Sequence, residues 1–169
     1  HAVKIGMLHS PEAVNTVAAA ISHYSFKNVV LDPVITASSG TSLTERPAIV
    51  ALVRELFGRV TVITPNLDEA ALLVGRPLDS ESTMELAAQQ LLAMGASAVL
   101  LKGGHLAGEL VCDLLATRSG EFYWMRAPRI HSANTHGTGC TLSSAMAAHL
   151  ALGANLLDAV QAARAYVRA

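Results

Sequence analysis

Four short stretches carry residue types and spacings suited to handling phosphate. The first is Thr135-His136-Gly137-Thr138-Gly139-Cys140-Thr141, which runs into an apolar, helix-forming segment. Two glycines let the backbone approach a ligand closely. Successive amide N–H groups at a helix start then make an anion site, reinforced by the helix dipole. The alternative is an ordinary glycine-rich loop with a small buried cysteine. The second is Thr64-Pro65-Asn66-Leu67-Asp68-Glu69, in which Asn66 suits a helix N-cap and Glu69 lies one turn on. A carboxylate there can hold Mg²⁺ directly or through water, because Mg²⁺ keeps most of its waters and takes few protein ligands. Equally, Asn66 and Glu69 can form a plain capping box.

The third stretch, Lys102-Gly103-Gly104-His105, puts a lysine at a strand end, where it can bridge nucleotide phosphates as a point charge. A solvated lysine before a turn is the alternative. The fourth, Asp32-Pro33-Val34, either places an acid near a metal or simply ends a strand. His9, His23, His131 and His149 show no metal-ligand spacing. Cys112 lies in an apolar run and reads as structural, and Met84 and Met94 read as core.

These residues need elements to carry them, and the sequence alternates strand and helix signals. Strands are expected at 4–8, 29–31, 60–64 and 98–102. Helices are expected at 11–24, with Ser10 as cap and Pro11 in the first turn, then at 43–57, 67–74, 82–94, 138–152 and 156–167. For 82–94 the expected cap is Ser82, with Glu85 completing a capping box. Segments 111–117 and 122–126 read as a hairpin around Ser119-Gly120. Strands alternating with helices imply βαβ units and a mainly parallel sheet, with the hairpin at one edge. In such sheets ligands sit beyond the carboxyl ends of the strands, where Asp32, Asn66 and Lys102 fall.

Composition narrows the function. Twelve basic and 13 acidic residues leave a net charge of −1, with no basic run to track nucleic-acid phosphates. No stretch of about 18 apolar residues could span a membrane. Two cysteines in unlike contexts suggest no disulfide framework, so a reducing cytoplasm is expected. The sequence starts at His1 in an apolar segment and ends at Ala169 within an expected helix. Residues 1–169 are therefore expected to be a single domain lacking its N-terminal portion and its extreme C-terminus.

The four stretches, in this order, resemble the hydroxymethylpyrimidine/phosphomethylpyrimidine kinases of thiamin biosynthesis, members of the ribokinase superfamily. The matching segments are KIGML at 4–8, VVLDPV at 29–34, TVITPNLDEA at 61–70, LLKGGH at 100–105 and NTHGTGCTLSSA at 134–145. The resemblance implies a three-layer α/β/α ribokinase-like (Rossmann-like) fold. It also implies ATP and Mg²⁺, a small-molecule substrate (hydroxymethylpyrimidine and its phosphate) and a homodimer.

Residue by residue, the resemblance makes Gly137, Thr138 and Gly139 the anion hole for the transferred phosphoryl group. Cys140 stands where sugar kinases of the superfamily carry a catalytic Asp, beside the substrate hydroxyl. Glu69 with Asn66 would organise Mg²⁺ and its waters, with Asp32 near the metal and phosphates. Lys102 would touch the ATP phosphates, with Asn66, Asp32 and Thr135 also on the nucleotide side. Met7 and Val34 match positions that pack on the pyrimidine ring. The chain has Ala133 and Ser39 where a Lys is common in the family, and Thr41 where an Asp is common. Alternative readings are a pyridoxal or pyridoxamine kinase of the same superfamily and a pyrimidine-binding remnant without catalysis. A cysteine hydrolase using His136 as base would leave the second and third stretches unexplained.

Overall fold

A computed structural model describes residues 1–36, 43–106, 108–130 and 137–169. The elements are β1 (Val3–Ile5), α1 (Pro11–Tyr24), β2 (Val29–Leu31), α2 (Arg46–Leu56), β3 (Val62–Ile63), α3 (Leu67–Val74) and α4 (Glu81–Ala93). They continue with β4 (Ala98–Leu101), β5 (Leu110–Thr117), β6 (Phe122–Pro128), α5 (Thr138–Ala151) and α6 (Leu156–Arg168). The six strands form one sheet in sequence order. β1 to β4 are parallel, and β5 and β6 add an antiparallel hairpin at the far edge. β1 is the opposite edge.

Successive side chains of a strand point to opposite faces, and here each face has its own helices. Val29 and Leu31 of β2 join Ile63, Val99 and Leu101 in a core roofed by α1, α2, α3 and α4. Val30 points the other way, and with Val62, Ala98 and Leu100 it packs under Leu142 and Met146 of α5 and Val160 of α6. The result is the expected three-layer α/β/α arrangement. Strands buried on both faces account for continuous apolar runs such as Val29-Val30-Leu31. Met84 is fully buried and Met94 packs against the same core.

Most boundaries differ from expectation by a residue or two, β3 being Val62–Ile63 rather than 60–64, and three of the differences are instructive. α2 begins at Arg46 rather than 43, because Pro47 fits only the first turn of a helix; an earlier start would put its missing N–H in the interior. α4 is capped by Ser80, not Ser82. Ser80 Oγ accepts from Thr83 N and Thr83 Oγ1 accepts from Ser80 N, so the polar pair lies two residues earlier. Glu85 instead accepts from the Trp124 indole N–H. β1 ends at Ile5, which leaves Met7 beyond the strand and half exposed.

Candidate active site

At the carboxyl end of β2, Asp32 is buried, and both of its carboxylate oxygens are engaged. Oδ1 lies 2.8 Å from Lys102 Nζ and accepts from Thr64 Oγ1 at 3.1 Å. Oδ2 lies 3.3 Å from Ser143 Oγ on α5 and 3.9 Å from Lys4 Nζ on β1. A buried carboxylate is tolerated only when paired and hydrogen-bonded, and here residues from four neighbouring elements meet that need. Ser143 Oγ also lies 3.1 Å from the carbonyls of Gly139 and Cys140. It has one proton to give, so it donates to one of these three acceptors at a time and stands between the first turn of α5 and Asp32.

Lys102 follows β4. Its N–H donates to the Pro65 carbonyl, which aligns it beside Asn66 in a parallel bridge. Its ammonium reaches the first turn of α5: a β-carbon on Gly139 would lie 3.0 Å from Lys102 Nζ. The close approach is made at a residue that has no side chain to obstruct it. Gly137, the α5 N-cap, holds φ 82°, which glycine adopts without the steric cost borne by other residues. It offers no side chain to cap the amides that follow. Cys140 is exposed, which excludes the buried-cysteine alternative for this loop. It opens a groove of about 550 Å³ that runs along α5 past Ser144 and Ala148 to His149 and Tyr166.

Asn66 and Glu69 form a complete capping box. Asn66 Oδ1 accepts from Glu69 N, and Glu69 Oε2 accepts from Asn66 N, both at 2.8 Å. Glu69 Oε1 accepts from Ile35 N at 3.4 Å, which ties α3 to the chain just beyond Asp32-Pro33-Val34. Burial pushes the Glu69 carboxyl above the usual carboxylate range. Lys102 and the Asn66 amide pull it down, and Asp32 adds to the upward push. The capping-box alternative is thus present in full, and the same carboxylate sits in the field of the Asp32–Lys102 pair.

The structure thus brings Asp32, Lys102, Asn66, Glu69 and the first turn of α5 to one end of the sheet. Val34 is half-buried beside this cluster; its N–H donates to the Asp32 carbonyl. Met7 and Val34 do not line the groove that starts at Cys140. Thr135 and His136 lie outside the described residues, as do Ser39, Thr41 and Ala133. Among the described residues no group of three or more His, Cys, Asp or Glu could hold a metal ion, and no helix is long and apolar enough to cross a membrane. Cys112 is buried, and burial raises its thiol pKa, as suits a structural cysteine.

Sequence reasoning gave no role to Lys4, Thr64 or Ser143. A signal for Ser143 was present: it falls three and four residues after Cys140 and Gly139, on the same helical face.

The family model for phosphomethylpyrimidine kinase matches residues 1–169. The hydroxymethylpyrimidine/phosphomethylpyrimidine kinase of Escherichia coli K12 is 47% identical over 165 residues, which are 97% of this chain and 62% of that protein. The pyridoxal kinase of Staphylococcus aureus in complex with ADP superposes with a TM-score of 0.91 at 31% identity, over 99% of this chain and 61% of that one. The phosphomethylpyrimidine kinase of Clostridium difficile 630 gives 0.83 at 34% identity, over 99% and 67%. The chain spans less than two thirds of the length of the curated relatives it matches. Its layers and sheet are those of the ribokinase-like fold. With the family model matched from His1 to Ala169, the chain belongs to the phosphomethylpyrimidine kinase family.

Proposed function

We propose that the chain supplies the nucleotide and phosphoryl-transfer part of an ATP-dependent kinase. Within its whole protein, that kinase phosphorylates hydroxymethylpyrimidine and then its monophosphate for thiamin biosynthesis. The observation that carries this reading is the convergence of the Lys102 ammonium on Gly139, in the first turn of α5. A cation and a helix N-terminus aimed at one place suit the spread negative charge of a transferring phosphoryl group.

In this reading Lys102 holds the ATP phosphates, with Asn66, Asp32 and Thr135 on the same side. The amides of Gly137, Thr138 and Gly139 receive the phosphoryl oxygens. The substrate hydroxyl oxygen bonds to the γ-phosphorus as the bond to the β–γ bridging oxygen breaks and ADP leaves. Cys140 orients that hydroxyl and takes its proton, while Met7 and Val34 face the ring. Both carboxylates already accept hydrogen bonds, which fits an ion held largely through water: Glu69, Asn66 and Asp32 would hold Mg²⁺ in this way. When bound, the ion neutralises phosphate charge.

A homodimer in the cytoplasm, acting on small molecules, belongs to the same reading. The free thiols of Cys112 and Cys140 suit a reducing compartment. Sedimentation of the complete protein tests the dimer.

A pyridoxal kinase activity is the second reading, favoured by the 0.91 TM-score to the Staphylococcus aureus enzyme. The test is the kcat/KM of the complete protein, with ATP and Mg²⁺, for hydroxymethylpyrimidine and for pyridoxal. A ratio favouring the pyrimidine supports the first reading, a ratio favouring pyridoxal supports the second, and no turnover of either overturns both.

A further inference from the structure

Beside Asp32 and Glu69, Asp113 on β5 is a further buried carboxylate, and the site as described makes no use of it. Oδ1 accepts from the N–H of Gly103 at 2.8 Å, and Oδ2 accepts from Arg164 Nε of α6 at 2.7 Å. The same guanidinium donates to the Met125 carbonyl of β6 at 2.9 Å. Gly103 is the residue after Lys102, and it opens a short 3₁₀ turn that Lys102 does not cap with its side chain. Asp113 therefore caps that turn from across the sheet. It does so just past the last paired residues of β4 and β5, Leu101 and Leu114.

The docking is tight. A β-carbon on Gly103 would lie 1.8 Å from the Cys112 carbonyl oxygen, so only glycine fits and the turn rests directly on β5. Arg129, at the end of β6, holds the rest of the loop through the carbonyls of Gly104, Leu106 and Gly108.

We propose that Asp113, neutralised by Arg164, is a positioning residue for Lys102: it fixes the Gly103 amide, and with it the direction from which the ammonium meets the nucleotide phosphates. A buried ion pair is weak ground for stability, since well-packed apolar residues often do as well. What an apolar pair cannot supply is a charge-assisted acceptor for one chosen amide. Arg164 places a positive charge against Asp113 without withdrawing it from Gly103, because each partner takes a different oxygen. Helix α6 is thereby linked through two hydrogen bonds to Gly103, the residue that follows the lysine of the site.

This inference rests on the kinase reading, and its test separates the two. In the complete protein, ADP affinity is measured by calorimetry for wild type, Asp113→Ala, Lys102→Met and the double variant, alongside KM for the pyrimidine. Asp113→Ala should weaken ADP by about tenfold, the scale of a lost hydrogen bond to a charged group, with the pyrimidine KM unchanged. In the Lys102→Met background the same substitution should change ADP affinity less than about twofold, since close partners are not additive. Asp113→Asn, which keeps an acceptor for Gly103, should recover much of the loss; it also carries the test if the alanine variant does not fold. An equal loss with or without Lys102, or a parallel rise in pyrimidine KM, would reduce the pair to a structural role. Wild type that binds no ADP would overturn the kinase reading itself.

Discussion

The ammonium of Lys102 and the carboxylate of Asp32 meet at 2.8 Å, although 70 residues separate them in sequence. Asp32 has no oxygen left without a neighbour, so the pair is a fixed assembly in which the carboxylate aims the ammonium. Lys102→Met should lower kcat/KM for ATP by about 10²-fold or more, the scale of one lost electrostatic contact to a transition state. Steady-state kinetics of the complete protein check this, and an unchanged value would remove Lys102 from the phosphate site.

Cys140 is exposed at the start of α5, so its replacement should hardly touch the fold. Cys140→Ala is expected to reduce kcat by roughly 10²–10⁴-fold, the range for positioned proton transfer. The melting temperature should stay close to wild type. Near-normal turnover would leave the thiol a bystander.

Glu69→Gln keeps the capping geometry with Asn66 and removes the charge. It should raise the Mg²⁺ concentration needed for half-maximal activity while pyrimidine binding without metal stays normal. An unaltered Mg²⁺ dependence would leave Glu69 with its helix-capping role alone.

Glu69 also carries a pH signature in the absence of nucleotide and metal. Burial raises its carboxyl above the unfolded value, so the ionised form is disfavoured in the fold. Its stabilising contribution is complete below the unfolded pKa and is lost as pH rises through the folded one. Thermal unfolding from about pH 4 to about pH 8 should show the Glu69→Gln variant gaining on wild type as pH rises. A constant difference across that range would contradict the burial argument.

What could be read from the sequence was local. The glycine loop before α5, the Asn66–Glu69 box and the strand-end positions of Asp32 and Lys102 all depend on neighbours within a few residues, and the chain writes these directly. The support around them is not local. Ser143 lies 111 residues from Asp32, and Arg164 lies 51 from Asp113; each pairing exists only once strand order and register are set. Small errors such as Ser82 for Ser80 have a different origin. Ser80, Ser82 and Thr83 all have cap-forming side chains, and only the backbone geometry at Ser80 selects among them.

The order of the strands bears on how the chain acquires its shape. Val3 pairs with Val29, Val30 with Val62 and Ile63 with Val99, each across one or two intervening helices. β5 and β6, by contrast, pair through a tight turn in which Gly120 donates to Thr117. Closing long loops before any contact rewards them is slow, so the hairpin should form early and the parallel pairs late. Pulse-labelled hydrogen exchange during refolding should therefore protect the amides of Cys112–Ala116 ahead of those of β1 and β2. The Asp113 end of the bond to Gly103 would then stand ready before Lys102 arrives, with the supporting scaffold maturing ahead of the residue it orients.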